Sequence, residues 1–258
     1  MQKDLPLLNV ITVSCNAKND LEKTIQSVAQ QDYPRINYII IDGGSTDGTA
    51  EMVKKYWDQI NVFVSEKDKG IYDAMNKGIS KTKEGYLNFL NAGDEYISSS
   101  TISDVFRGIG DEYDLVYGKI IVGEVTEEKL KNPQGTWDFT KNNLLAQNTA
   151  VLCHQAMFLK KEKVPLYDTS YKIKGDLDWY FEILKKNPDL TFFRSDVAVT
   201  NYRGGGISER KYHLDVYEVT KLIVKRFGVV PFFKYKYHIL VAGRLFNEYR
   251  DRVKYLFS

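Results

Sequence analysis

Short apolar runs alternate with helical patterns through the first half of the chain. Residues 8–14, rich in β-branched side chains, read as a buried strand, and residues 38–42, 61–65 and 86–90 repeat that pattern. Between the first two runs Leu21, Ile25 and Val28 recur at helical spacing until Pro34 stops them, behind a predicted capping box of Asn19 and Glu22. Helices are also predicted over residues 49–57, after the turn-forming run 43–48, and over 71–81. Three consecutive strand-helix-strand units predict an α/β fold on a doubly wound, Rossmann-like sheet flanked by helices, with ligands bound at the carboxyl ends of the strands.

Beyond Asp111 the pattern changes. Residues 113–122, 150–160 and 190–202 read as strands and 176–186 as a helix, so the sheet is expected to continue as a mixed one. No internal repeat or low-complexity linker is visible. Charge supplies the one division that hydropathy does not. From Lys221 onward nine Lys/Arg stand against Glu248 and Asp251, a net +7 that leaves −5 on the other 220 residues of a chain whose total is +2. Because those charges interleave with aromatics such as Phe232, Tyr235, Phe246 and Tyr255, two readings stay open for a helical extension over 211–258. It lies on an anionic membrane surface as an amphipathic element, or it packs its aromatics on the body and leaves a solvated basic face.

Composition narrows the class. With 43% hydrophobic and 27% charged residues, 18 Gly and 6 Pro, the chain is globular and neither disordered nor collagen-like. Cys15 and Cys153 are too few for a thiolate metal cluster and suit a reducing compartment. Residues 1–9 lack the apolar core of a secretory signal, and no apolar run approaches the roughly 20 residues that cross a bilayer. A cytoplasmic protein is therefore expected, peripheral on the inner membrane face if the extension binds lipid. No nucleic-acid partner is expected.

Polar residues gather where the fold would place a ligand. Asn16 follows the first strand, Asp42 closes the second, Glu66 and Asp68 follow the third, and residues 91–95 follow the fourth. Any one of them alone reads as a turn residue or helix cap, whereas four in register argue for a site. A carboxylate cluster without a matching Cys/His set suits a hard divalent cation, Mn²⁺ or Mg²⁺. Asp94 is the best ligand, presented by a polar loop after an apolar strand with Gly93 allowing close approach; a plain turn is the alternative. The run Gly-x-x-x-x-Gly-Lys-Ser/Thr, a Gly-x-Gly-x-x-Gly turn and a Gly-x-Ser-x-Gly elbow are all absent, which disfavours P-loop, dinucleotide and hydrolase chemistry. His154, His213 and His238 are too scattered for a zinc site.

Residues 10–16, 39–49, 65–79 and 87–94, taken with Cys153-His154-Gln155, Gly175-Asp176-Leu177-Asp178 and Gly204-Gly205-Gly206-Ile207-Ser208, form an ordered set. That set resembles family 2 glycosyltransferases of the GT-A fold, the bacterial surface-polysaccharide type, over most of the chain to about Arg210. The resemblance implies a GT-A domain over 1–210, with a nucleotide-sugar half (1–110), an acceptor half (111–210) and the extension 211–258. It implies an inverting, metal-dependent transfer of a sugar from a nucleotide donor, uridine-linked in most such enzymes, to a glycan or lipid-linked acceptor hydroxyl. Asp42 and Asp68 then face the nucleoside, with Asn16, Lys77 and Asn91 also on the donor side, Asp94 holds the metal, and Asp176 is the general base. Asp178 is the reserve base, with a solvated first-turn acid as its ordinary reading, and a helix N-cap is the ordinary reading of Asp176. His154 and Gln155, expected just after a strand, would line the acceptor side, and Arg203 or Arg210 would belong to a glycine-rich lid that meets the diphosphate. The pattern is broken at three places: Cys15 stands where many relatives carry Tyr, Gly43 where they carry an acid, and Asn91-Ala92-Gly93-Asp94 where they carry an Asp-x-Asp-Asp motif. A nucleotidyltransferase and a non-catalytic nucleotide or glycan binder remain the competing readings.

Overall fold

The first four strands, β1 (Leu8–Ser14), β2 (Ile36–Asp42), β3 (Val62–Ser65) and β4 (Tyr86–Phe89), pair in parallel with β1 at the centre, β2 and β3 to one side and β4 to the other. Chain order thus reverses at β1, and the crevice beyond the carboxyl ends of β1 and β4 is the topological switch point of the sheet. Every residue of β1 is buried. Ile11 and Val13 enter one core layer while Leu8 and Val10 enter the other, as the period of two requires when helices cover both faces. These relations come from a computed structural model that describes residues 5–133, 153–202 and 212–228.

Helices α1 (Lys18–Ala29), α2 (Thr49–Val53) and α3 (Ile71–Ser80) connect these strands. The second half adds β5 (Glu95–Tyr96), α4 (Thr101–Phe106), β6 (Leu115–Val122), α5 (Glu127–Lys131), β7 (Met157–Lys160), α6 (Gly175–Lys186), β8 (Phe192–Tyr202) and α7 (Tyr212–Phe227). The eight strands lie in the order β3-β2-β1-β4-β7-β6-β8-β5, with β7 antiparallel to both of its neighbours. The sheet is mixed, as the sequence predicts.

Several local expectations are corrected. No capping box forms at α1, whose N-cap Ala17 makes no side-chain bond; Asp47, from the loop before α2, accepts the Lys18 N–H at 3.0 Å instead. The second helix gives way after Val53 to a 3₁₀ turn over Lys54–Gln59. His154–Ala156 form a 3₁₀ turn before β7, so His154 and Gln155 precede that strand.

Of the two readings open for the extension, its first stretch takes the packed one. On α7, Val216, Val219, Leu222 and Ile223 are buried at helical spacing, and the last three belong to the same core cluster as Leu177, Phe181 and Ile183 of α6. Phe227 meets Phe181 with ring centroids 4.8 Å apart. At about 1.5–3 kcal/mol for each buried aliphatic side chain, this packing makes α7 part of the body. Its basic residues face protein groups: Arg226 pairs with Asp178 and Glu182, Lys225 with Asp168, and Lys221 lies over the Tyr171 ring. Residues 229–258, with the rest of the basic charge, lie outside the described residues. Among the described residues no helix is long and apolar enough to cross a membrane.

Candidate active site

Two loops hang from the end of β1. On one side the Gly43 N–H bonds the Ser14 carbonyl at 2.8 Å; on the other, the Leu90 and Ala92 N–H groups bond the carbonyls of Ile11 and Val13 at 3.0 and 3.3 Å. The strand-end residues picked out in the sequence therefore converge at the switch point.

The 43–48 loop is built by the acids themselves. Asp42 is fully buried: its carboxylate accepts the Ser45 N–H at 3.0 Å, the Ser65 hydroxyl at 2.6 Å and the Ser45 hydroxyl. Asn16, at φ +49°, donates its backbone N–H to Ser45 Oγ at 2.7 Å and accepts from the Thr46 N–H at 2.9 Å. Asp42 and Asn16 thus shape the loop, with the Asp42 carboxylate covered by Ser45 and Ser65. Asp68 stands beside them, and its Oδ2 lies so near Gly43 that a Cβ there would sit 3.0 Å from it and 3.3 Å from Cys15 Cβ. The absent acid at 43 and the absent Tyr at 15 are therefore parts of one close contact. Lys77 donates to Asp68, to Glu66 at 2.9 Å and to the Lys67 carbonyl at 3.1 Å, and the bond to Asp68 raises its pKa most. The exposed Cys15 thiol is pushed up by burial and then by the charges of Asp42, Asp68 and Asp47. A cluster of this sign favours hydroxyl and N–H donors over anions.

The 90–94 loop carries the second group. Asp94, 6% exposed, accepts from Gln155 Nε2 at 2.9 Å, and the Cys153 thiol donates to the Oε1 of the same Gln155. Asn91 Nδ2 lies 3.1 Å from His154 Nε2, while Asn91 Oδ1 is buried without a hydrogen-bond partner. Burial lowers the His154 pKa against the opposing charge of Asp176, so the imidazole is neutral at pH 7.

Asp176 is half-buried in the first turn of α6 and accepts the Leu177 N–H at 3.0 Å; the N-cap position belongs to Lys174, so Asp176 is not the cap. What positions this turn was not legible in the sequence. The Tyr72 ring lies flat against Gly175, and its hydroxyl donates to the Ile173 carbonyl at 2.7 Å. Tyr72 stacks on Tyr167, which stacks on Trp179 with ring centroids 4.9 Å apart. Asn76 bonds the Tyr167 backbone in both directions, at 2.9 and 2.8 Å. The motif over residues 68–78 therefore serves the α6 start as well as the Asp68 cluster. Asp178 does not: it is 3% exposed and accepts from Arg226 Nε at 2.6 Å, away from His154. This overturns its reading as a solvated acid, and a carboxylate already held by a guanidinium is a poor base for the reserve role. Arg203 and Arg210, and the glycine run between them, lie outside the described residues.

Among the described residues no three His, Cys, Asp or Glu side chains gather as a metal nest. Asp94 and the orphaned Asn91 oxygen are the protein oxygens at the loop. That donor set fits a Mn²⁺ or Mg²⁺ ion held largely by substrate phosphates and water.

Residues 9–165 match the family model described as glycosyl transferase family 2. The chain is 28% identical over 214 residues to a PGL/p-HBAD biosynthesis glycosyltransferase of Mycobacterium bovis, covering 79% of each chain. In structure it resembles Staphylococcus aureus TarS 1–349, solved with UDP-GlcNAc, at TM-score 0.62 and 18% identity over 84% of this chain; it spans 66% of that chain, less than two thirds. The mannosyltransferase PcManGT of Pyrobaculum calidifontis, solved with GDP-Man and Mn²⁺, matches 95% of this chain and 75% of its own at TM-score 0.62 and 15% identity. The architecture is the GT-A fold, as expected.

Proposed function

Because the chain belongs to glycosyl transferase family 2, we propose that it moves a sugar from a uridine diphosphate donor to a hydroxyl of a surface glycan or lipid-linked saccharide, with inversion at the anomeric carbon. Asp176 is the general base of this reading. The acid-lined pocket of Cys15, Ser45, Ser65 and Asp68 receives the nucleoside, whose hydroxyls and ring N–H suit its sign. Lys77 fixes the Asp68 carboxylate from behind. Asp94 and Asn91 would hold a divalent ion against the diphosphate, and when bound that ion stabilises the negative charge that develops on the leaving group. The acceptor oxygen forms its bond to the anomeric carbon as the bond to the diphosphate breaks, and Asp176 takes the hydroxyl proton on the face opposite the leaving group. One displacement inverts the centre. His154, neutral and bonded to Asn91, would hydrogen-bond the sugar near the base without adding a competing positive charge.

The observation that carries this reading is that Asp176 alone, of the two acids in the first turn of α6, is left half-open, with its charge felt by His154, the partner of Asn91 in the 90–94 loop. A binding module without turnover is the competing reading, favoured by the single carboxylate of the metal loop. Asp176→Asn separates them. Turnover of a nucleotide-sugar panel should fall by about 10²–10⁴-fold while uridine diphosphate binding with Mn²⁺ stays within about twofold. A variant that keeps full turnover overturns the base assignment.

A further inference from the structure

We propose that Glu218, on α7, is a positioning residue for Asp176; the proposal rests on the reading of Asp176 as the base. Glu218 is 3% exposed, and its carboxylate accepts three consecutive backbone N–H groups, those of Lys172, Ile173 and Lys174, at 2.7, 2.8 and 2.9 Å. Lys174 is the N-cap of α6 and its side chain makes no capping bond, so the helix start lacks the local Ser, Thr, Asp or Asn that ordinarily satisfies such donors. A carboxylate from 44 residues further along the chain instead holds the N-cap N–H and the two N–H groups before it, fixing the segment that leads into the helix. The charge also suits the positive end of the helix dipole.

The same three residues are gripped from the other side, where the Tyr72 hydroxyl donates to the Ile173 carbonyl. Arg226, on the same α7, pins Asp178 and Glu182 on the face of α6 away from His154. Among the described residues the Asp176 carboxylate accepts a hydrogen bond only from the N–H of the next residue in its own turn, so it goes where the backbone of 172–175 carries it. A displacement of about 1 Å at that turn suffices to cost a factor near 10² in rate, because the proton must be met in line. The family match ends at residue 165, so neither Glu218 nor the turn it holds lies within it. In the sequence Glu218 is an acid set between Val216 and Val219 in a buried stripe, which is its visible signature.

The test uses the full chain with Glu218→Gln, which keeps the length but turns an N–H₂ toward backbone donors, and Glu218→Asp as a second variant should the first fail to fold. Three quantities are read: kcat, the donor KM, and hydrogen exchange of the 172–174 amides. We expect kcat to fall by about tenfold or more with donor KM within about twofold, and exchange at those amides to quicken by about tenfold or more. Unchanged exchange, or quickened exchange with unchanged kcat, overturns the proposal. Asp176→Asn is measured in parallel: if it is inactive while the Glu218 variants turn over normally, the positioning role fails alone; if it is active, the base assignment has failed and carries the positioning role with it.

Discussion

Replacing Gly175 with alanine sets two effects of opposite sign against each other. Gly175 is the first residue of α6, and a helix favours Ala over Gly by about 0.8–1 kcal/mol, so propensity alone predicts a gain in stability. A Cβ at this position, however, would lie 2.5, 2.6 and 2.7 Å from three atoms of the Tyr72 ring, against about 3.5–4.0 Å for ordinary carbon contact. The ring has nowhere to go: it is 5% exposed, stacks on Tyr167 at 5.3 Å between centroids, and its hydroxyl is bonded to Ile173. The helix start must move by about an ångström. Overpacking of this kind costs about 1–3 kcal/mol, which offsets or outweighs the propensity gain and leaves a net loss of about 0–2 kcal/mol, or up to roughly 8 °C in Tm for a chain of this size. Turnover should suffer far more, by about 10²-fold, since the displaced turn carries Asp176. Urea unfolding gives the first number and donor turnover the second. The pair Gly175→Ala/Tyr72→Leu, which clears the ring, should recover part of the lost turnover. A Gly175→Ala protein that melts higher and turns over normally refutes the packing argument.

Arg226→Met strips Asp178 of its 2.6 Å partner and Glu182 of its 2.9 Å partner; the uncompensated buried carboxylate should cost about 3 kcal/mol in urea unfolding, most of it regained in Arg226→Met/Asp178→Leu. A loss below about 1 kcal/mol would show that the pair does not hold α6 to α7. Gly43→Asp restores the acid many relatives carry, yet its Cβ meets Asp68 and Cys15 and its charge joins Asp42 and Asp68. Titration calorimetry should show uridine diphosphate binding weakened by about tenfold, equal to about 1.4 kcal/mol; tighter binding would mean that the pocket lacks an acid it can seat.

The parallel half of the sheet is readable because burial on both faces writes itself as unbroken β-branched runs, as in β1 and β2, and because the ligand edge follows from strand direction. Asn16, Asp42, Asp68 and Asp94 could be placed on that edge without coordinates. What they bond could not. Asp47 caps α1 from a loop 29 residues away, and Asp42 is closed off by Ser45 and Ser65, because hydroxyl and amide partners are chosen in three dimensions. Asp178 and Arg226, 48 residues apart, each look like an ordinary surface charge in the sequence and neutralise each other in the interior. β5, α4 and α5 span two, six and five residues, too few for a hydrophobic period to declare itself.

The nucleoside-side loop and the phosphate-side loop are both tethered to carbonyls of one strand, at Ile11, Val13 and Ser14. A single strand thereby sets the spacing between the two loops, and in the proposed reading any sideways movement of it would carry both ends of the donor in step. Asp176 answers instead to α3 and α7, through Tyr72 and Glu218. Donor length and the approach of the incoming hydroxyl are thus ruled by separate parts of the molecule, so mutation can retune the second while leaving the first untouched.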